Sequence, residues 1–132
     1  MIWRDGEPVE ERGEAASLWR EDLVAFALGC SFTFERALIE AGIRLRHIER
    51  DLTVPMYRTS IETARRGPFG GGMVVSMRPV PEALAATARE VTARYGHAHG
   101  APVHAGDPAE IGIAELGAPD WGDAVLPEAG EV

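Results

Sequence analysis

With 132 residues, a net charge of −8, one cysteine and 13 basic residues that are all arginine, the chain is an acidic protein without lysine. It therefore cannot form an internal disulfide, and it cannot supply a Schiff-base lysine, a pyridoxal-phosphate anchor or a phosphate-loop lysine. No apolar run approaches the ~18 residues of a membrane span, and the acidic N-terminus lacks the apolar core of a signal peptide, so we expect a cytoplasmic protein. The length suits one domain over residues 1–132.

The charge is unevenly distributed along the chain. Residues 23–104 carry seven acids and ten arginines, whereas the segments on both sides of them are acidic. A locally basic middle within an acidic protein suits a small anionic substrate, so we expect neither a nucleic-acid nor a membrane partner. Solvated acidic tails explain the same distribution equally well. Without lysine, recognition of a carboxylate would fall to arginine, which can donate two parallel hydrogen bonds.

The first third of the chain predicts a hairpin and then a helix. Residues 1–16 are expected to form a loose N-terminal segment, in which the turn sequence Arg4–Pro8 closes a short hairpin. Ser17 is a plausible N-cap and Gly29 a plausible left-handed end of the helix that follows. The apolar stripe of this helix has helical spacing and comprises Leu18, Trp19, Leu23, Phe26 and Ala27.

A second helix is predicted to begin at Ser31 and to stop at Gly42. Residues 43–49 alternate apolar with charged side chains, which is typical of a strand. Residues 52–57 are expected to be irregular, because Pro55 removes a backbone donor.

The remaining predicted elements surround a glycine-rich loop at residues 67–72. This loop precedes the strand predicted at 73–77, whereas phosphate-cradling loops follow a strand, so it is not a nucleotide signature. A helix is predicted at 82–95, a short strand or extended turn at 101–104, and a capped helix start at Asp107–Pro108. This order predicts a mixed α/β (α+β) fold, in which about three to four helices cover a small mixed sheet.

Residues that can carry chemistry are concentrated at four junctions between predicted helices and strands, namely 29–32, 55–59, 74–79 and 99–107. Because functional side chains are often held on loops by a rigid frame, we predict that these junctions form one site. The predicted catalytic residues are Cys30, His99, His104 and Asp107. The predicted substrate-binding residues are Ser31, Tyr57, Arg58, Thr59, Ser76 and Arg78.

Each of these roles has a structural alternative. Cys30 and Ser31 at a helix start can form a nucleophile or an anion-binding turn, or instead a small buried residue followed by a cap. Arg58 and Arg78 can clamp a dicarboxylate or form surface ion pairs. Asp107 can orient the ring of His104 or cap the next helix.

Three histidines, His97, His99 and His104, are spaced two and five residues apart. This spacing matches no strong zinc signature, so we expect neither a metal nor another cofactor. His99 and His104 are instead predicted to exchange protons with a substrate near neutral pH.

The same segments, in the same order, resemble one known family. They are Gly29–Phe32, Pro55–Thr59, Met73–Pro79, and His99–His104 with Gly106–Pro108, extended by Glu35, Ala41–Ile43, Arg46–Glu49, Pro119–Asp120 and Gly122–Asp123. Over roughly residues 18–131 the chain resembles the bacterial hydro-lyase family, whose relatives include mitochondrial D-glutamate cyclase.

The resemblance implies an enzyme that eliminates water from a small amino or hydroxy acid, with the cyclisation of D-glutamate to 5-oxo-D-proline as the best candidate. Members of this family are longer at both ends, so we expect residues 1–132 to form part of a larger family domain. A catalytically silent binding or assembly module and, less favoured, a metal-assisted hydrolase remain alternatives. A homo-oligomer also stays open.

Overall fold

The computed structural model describes residues 1–26 and 29–132. It begins with an antiparallel hairpin of β1 (Ile2–Arg4) and β2 (Glu7–Glu10), which confirms the predicted hairpin. Asp5 and Gly6 form the turn with positive φ angles of 53° and 84°. Two positive φ angles at the centre of a two-residue loop match the twist of the strands that the loop joins.

The helix predicted from Ser17 to Gly29 is wrong over the described part of that segment, where the chain forms only a 3-10 turn at Ala16–Leu18. Trp19 and Phe26, which belong to the predicted stripe, are exposed. A short helix gains most of its stability by packing its apolar face, and here that face meets solvent. Ala27 lies outside the described residues.

Gly29 is needed for a close approach of two backbone segments rather than for a helix end. A Cβ atom at this position would lie 2.1 Å from the carbonyl oxygen of His97. A larger residue would therefore separate the segment before Ser31 from the 3-10 helix at Gly96–Ala98.

The predicted helix from Ser31 to Gly42 is confirmed as a 3-10 turn at Ser31–Phe34 that continues into α1 (Glu35–Glu40). Gly42 ends it with a φ angle of 83°. The strand predicted at 43–49 is wrong, because α2 (Arg46–Glu49) occupies its second half.

The strand-like alternation at 43–49 has a physical origin all the same. Ile43, Leu45 and His47 are buried, as an alternating strand would have them. Leu45 is extended and provides the carbonyl that accepts from the Glu49 N–H at 3.1 Å, which begins the helical turn. An extended entry into one helical turn therefore reproduces the burial pattern of a strand.

The second sheet is an antiparallel hairpin of β3 (Met56–Glu62) and β4 (Gly72–Ser76). β4 confirms the strand predicted at 73–77, and the glycine-rich loop precedes it as expected. β3 starts immediately after Pro55, so the irregular segment predicted at 52–57 is wrong at Met56 and Tyr57, which lie in a strand because β4 and Trp121 supply its hydrogen-bond partners. The opposite edge of β3 pairs with Trp121, whose carbonyl oxygen accepts from the Met56 N–H at 2.9 Å.

The helix predicted at 82–95 is confirmed as a 3-10 turn at Glu82–Leu84 followed by α3 (Ala85–Ala93). Residues 101–104 form bends, in agreement with the extended-turn alternative. Asp107 caps the 3-10 helix Pro108–Ile111 by accepting from the Ala109 N–H at 2.9 Å, so the predicted cap is confirmed.

The core lies between α1, the segment that enters α2, and α3. Its buried side chains are Phe34, Leu38, Ile43, Leu45, Val80 and Ala88, against which Leu84, Val91 and Tyr95 pack.

Within residues 1–26 and 29–132 the structure has three α-helices and two separate two-stranded sheets, which confirms a mixed α/β fold with slightly fewer helices than predicted. In that part of the chain, every helix is too short or too polar to cross a membrane.

Candidate functional site

A connected cluster of polar side chains lies where β4 ends and the helical segment before α1 begins. Arg78 donates from Nη1 to Ser76 Oγ at 2.9 Å and from Nη2 to Ser31 Oγ at 3.1 Å. The Ser76 and Ser31 hydroxyls also share a hydrogen bond, with 3.2 Å between their Oγ atoms. The structure thus brings together three residues, Ser31, Ser76 and Arg78, that come from two of the predicted junctions.

Two further residues, which sequence reasoning did not place in the site, complete this cluster. Glu35 Oε1 lies 3.0 Å from Arg78 Nε and 2.5 Å from Arg78 Nη2. His47 Nε2 lies 2.9 Å from the same oxygen. Ser31 and Glu35 are four residues apart in one helical segment, and this spacing, which puts two side chains on one helix face, is the signal that could have revealed Glu35.

The guanidinium of Arg78 is turned into the protein. Its side chain is only 8% exposed and lies over the ring of Phe34, with Cζ 5.4 Å from the ring centroid. Its donors already serve Glu35 and two hydroxyls, so Arg78 does not present a free fork to solvent. In this arrangement it orients neighbouring groups.

Cys30 directly precedes Ser31 and is exposed. The alternative in which Cys30 is a small buried residue is therefore wrong. Its backbone is extended, with φ −125° and ψ 144°, and in the described structure its side chain makes no capping hydrogen bond.

Tyr57 and Thr59 are held within the β3–β4 region by hydrogen bonds to the backbone. The Tyr57 hydroxyl donates to the Leu116 carbonyl and the Thr59 hydroxyl to the Met73 carbonyl, both at 2.8 Å. Tyr57 is buried, and this burial, together with the charge of Glu115, raises the pKa of its hydroxyl. The polar atoms of Tyr57 and Thr59 are thus engaged in holding the hairpin and the segment beside it.

Arg58, in contrast, is accessible, with 71% of its side chain exposed. Its guanidinium lies 5.0 Å from the centroid of the Trp121 ring and 3.7 Å from Asp120 Oδ1. The Asp120 carboxylate also accepts from the Arg58 backbone N–H at 2.8 Å. A distance of 3.7 Å to a partly exposed carboxylate leaves donors of Arg58 free to bind a ligand.

The predicted histidines are located near the 3-10 helices that follow α3. His104 Nε2 contacts the Asp107 carbonyl oxygen at 2.9 Å, whereas the Asp107 carboxylate is used for capping. His99 is exposed in the left-handed region with φ 79°, and the His97 ring lies beside that of Tyr95. Among the described side chains, no group of three or more His, Cys, Asp or Glu residues is arranged to hold a metal ion.

Acids of the C-terminal segment approach several arginines of the basic middle. Arg46 binds Glu128 and Glu131, and Arg50 lies 3.8 Å from Glu128. Together with the pairing of Arg58 and Asp120, these contacts offset much of the local positive charge that the sequence shows.

The predicted site is therefore only partly assembled. In the described part of the chain, no hydrogen bond or ion pair connects Arg58, His99 or His104 to the cluster of Ser31, Ser76 and Arg78. A cleft of about 300 Å³ is lined by other residues, among them Arg44, Arg46 and Glu128. The roles assigned to the ten predicted site residues remain predictions.

Comparison with known proteins places this chain in a family. The chain is 58% identical over 131 residues to a Bordetella pertussis protein named "Putative hydro-lyase", covering 99% of this chain and 47% of that protein. It is 53% identical to a "Putative hydro-lyase" of Saccharopolyspora erythraea, covering 99% and 52%. A Methylobacterium protein with the same description is 57% identical over 124 residues, covering 94% and 46%. The chain spans about half the length of these relatives. Residues 24–132 match the family described as D-glutamate cyclase, and the chain belongs to that family.

Proposed function

We propose that this chain supplies part of the active site of a hydro-lyase that closes D-glutamate to 5-oxo-D-proline. The observation that carries the proposal is the cluster of Ser31, Ser76 and Arg78, which lies within the residues that match the family. A pair of hydroxyls supported by a buried guanidinium can bind a carboxylate oxygen and stabilise the charge that develops on it.

The reaction defines what the site must do. The substrate nitrogen, after losing a proton, attacks the carbon of the γ-carboxyl group, so that a C–N bond forms and a tetrahedral intermediate carries negative charge on oxygen. The nitrogen then loses a second proton, and one oxygen of the former carboxylate leaves as water after it receives the two protons that nitrogen released. An ionised carboxylate is a poor electrophile, so donors must be directed at its oxygens.

The serine hydroxyls suit the γ-carboxyl group. A donor that is held in place and aimed at a developing oxyanion is worth roughly 3–4 kcal/mol of barrier reduction. Ser31 lies next to the exposed Cys30, on a half-buried surface that a small ligand can reach. We assign the hydrogen-bonded pair of Ser31 and Ser76, through its one free hydroxyl hydrogen, to the γ-carboxyl group, and Arg78 to the support of both hydroxyls.

Arg58 suits the α-carboxylate. In the β3–β4 register Arg58 pairs with Val74, so it is a diagonal neighbour of Ser76 on the same face of the hairpin. Diagonal neighbours are roughly 7–8 Å apart, a distance that a long side chain can span. A substrate with two carboxylates can therefore extend from the serine pair to the exposed guanidinium of Arg58. His99 and His104 remain our candidates for proton transfer, with Asp107 supporting His104.

The proposal is tested by incubating the purified chain with D-glutamate and measuring 5-oxoproline by chiral chromatography with mass detection. L-Glutamate serves as the matched substrate control, and the Bordetella pertussis relative is assayed in parallel. Turnover of D-glutamate by the relative, abolished by alanine at its residue equivalent to Ser76, would support the proposal. A relative that produces no 5-oxoproline at high enzyme concentration would show that D-glutamate is the wrong substrate.

A second candidate function is a binding or assembly module without catalysis of its own. It is favoured by the exposure of large apolar side chains in the N-terminal segment, where Trp19, Val24 and Phe26 are 66%, 73% and 80% exposed. Large exposed apolar side chains that lie close together commonly mark a surface that another protein covers. Light scattering would reveal a homo-oligomer, and calorimetry that detects D-glutamate binding without 5-oxoproline formation would favour this candidate.

A further inference from the structure

Glu35 is a buried carboxylate to which the roles above assign no function. Its Oε1 atom is the meeting point of three nitrogens, Nε and Nη2 of Arg78 and Nε2 of His47, at 3.0, 2.5 and 2.9 Å. A carboxylate that pairs with a guanidinium only accepts hydrogen bonds, so His47 donates from Nε2. Glu35 therefore fixes the position of the Arg78 guanidinium from one side, while His47 fixes Glu35.

The other side of the guanidinium determines the orientation of the two serine hydroxyls. Arginine can only donate, so Ser76 Oγ and Ser31 Oγ both accept from Arg78. The Ser76 and Ser31 hydroxyls also share a hydrogen bond, with 3.2 Å between their Oγ atoms, which uses one of their two hydrogens. Among the described residues, the pair therefore keeps one hydroxyl hydrogen without an acceptor. We place this free donor on Ser31, because Ser31 adjoins the exposed Cys30.

We propose that Glu35 is a positioning residue that holds Arg78 against Ser31 and Ser76, so that the Ser31 hydroxyl donates to a carboxylate oxygen of the substrate. This inference rests on the proposed function, because it names the group of that site that meets the γ-carboxyl group. Arg78, which the sequence alone suggests as a direct clamp on a carboxylate, then acts through the serines, and Glu35 holds it in place for that role.

The arrangement has a chemical advantage over a free arginine. A free guanidinium would bind the ionised carboxylate through two parallel hydrogen bonds and stabilise the ground state. A guanidinium already paired with Glu35 offers no such fork, yet it still polarises the hydroxyls that it binds. Ser31 then gives a hydrogen bond that strengthens as negative charge develops on the oxygen in the transition state.

The test compares Glu35→Gln with Glu40→Gln in the full chain. Glu40 lies on the same helix and also pairs with an arginine, Arg36 at 2.8 Å, but that pair is exposed. The readout is the ¹⁵N–¹H resonance of Arg78 Nε, assigned by its loss in Arg78→Lys. We expect Glu35→Gln to shift this resonance and speed its hydrogen exchange, and Glu40→Gln to leave both as in the wild type.

D-Glutamate binding gives the second readout, measured by titration calorimetry. Glu35→Gln should raise the dissociation constant about tenfold or more, the effect of losing one hydrogen bond to a charged group, whereas Glu40→Gln should leave it within about twofold. Ser31→Ala, which retains the Glu35–Arg78 pair and should fold, is expected to lose as much affinity but to shift the Arg78 Nε resonance less than Glu35→Gln does, because Ser31 contacts Nη2 and not Nε.

The two readouts separate the inference from the proposed function. An Arg78 resonance that is the same in Glu35→Gln and Glu40→Gln would overturn the positioning role. If Ser31→Ala bound D-glutamate as tightly as the wild type, the Ser31 donor would be the wrong group. A wild-type chain that binds no D-glutamate, but whose Arg78 resonance depends on Glu35, would show that this chain alone does not hold the substrate and would support the positioning role.

Discussion

Arg78 and Arg46 are buried to a similar degree, with 8% and 10% of their side chains exposed, but their guanidinium groups bind different partners. Arg46 meets two carboxylates, Glu128 and Glu131, and the carbonyl oxygen of Leu126. Arg78 meets one carboxylate and two hydroxyls. The partners of Arg46 all belong to the C-terminal segment, so its role is to hold that segment. The hydroxyls bound to Arg78 can in turn bind a ligand.

The two regions also differ in how completely their polar atoms are satisfied. Arg46 Nε is buried and has no hydrogen-bond partner in the described structure. Each nitrogen of Arg78 donates to a neighbour. An unpaired buried donor costs about 1–3 kcal/mol, so the unpaired Nε offsets part of the stabilisation that the Arg46 ion pairs contribute. Burial alone therefore does not identify a functional arginine, whereas the chemistry of its partners does.

The largest effect is expected from Arg78→Met. This substitution leaves Glu35 buried without its charge partner, which should lower the free energy of unfolding by about 3–5 kcal/mol. Urea denaturation at pH 7, followed by circular dichroism, measures the loss. The double variant Arg78→Met with Glu35→Met removes both charges and should recover most of the stability, because replacing a whole buried pair by apolar side chains is close to neutral. A loss below about 1 kcal/mol in the single variant would show that Glu35 is solvated.

A smaller effect is expected from Arg46→Met. Glu128 is exposed and can return to water when Arg46 is removed, and the unpaired Nε disappears with the side chain. Glu131 is only 16% exposed, but it keeps the hydrogen bond from the Glu128 N–H at 2.7 Å. The free energy of unfolding should therefore fall by only about 1–2 kcal/mol, also measured in urea. Glu128→Gln, which removes only the exposed partner, is the matched control and should cost less. If Arg46→Met destabilised the chain as much as Arg78→Met, the contrast between the two regions would be wrong.

The cluster around Arg78 shows what the sequence can and cannot predict of a site. Ser76 and Arg78 alternate with apolar neighbours next to a well-marked strand, and Ser31 begins a helix that ends at a glycine, so all three could be predicted. His47 could not be assigned from its position alone, and the one local signal for Glu35 is its spacing of four residues from Ser31. Glu35 looks like an ordinary first-turn acid, and His47 lies in a segment whose alternation indicates a strand. Their part in the site depends on a contact across 43 residues, between Glu35 and Arg78.

The fold shows the same division. The β1–β2 hairpin, the α3 segment and the Asp107 cap depend on residues close in sequence, and each was predicted. The helix from Ser17 and the strand at 43–49 depend on what the apolar face packs against, which local periodicity does not reveal. β3 was missed because Pro55 precedes it, although the pairing partners on β4 and at Trp121 supply its hydrogen bonds.

The smallest expected effect is a change of stability with pH, which should arise from the buried hydroxyl of Tyr57 and from neither arginine region. Burial raises the pKa of Tyr57 above its value of about 10 in an unfolded chain. The folded state then keeps this proton at a pH where the unfolded state has lost it, so the contribution of Tyr57 to stability is complete below pH ~10 and is lost as pH rises through the folded-state pKa. Guanidinium groups stay protonated in this range, so neither arginine region should contribute to the change.

Urea unfolding at about pH 8, 9, 10 and 11 should show a falling free energy of unfolding above pH 10, by about 1.4 kcal/mol for each unit by which the pKa is raised. Tyr57→Phe should remove this slope, whereas Tyr95→Phe, at the other tyrosine of the chain, should retain it. Parallel curves for the wild type and Tyr57→Phe would mean that the alkaline loss of stability arises elsewhere, and the arginine regions would then be the first place to look.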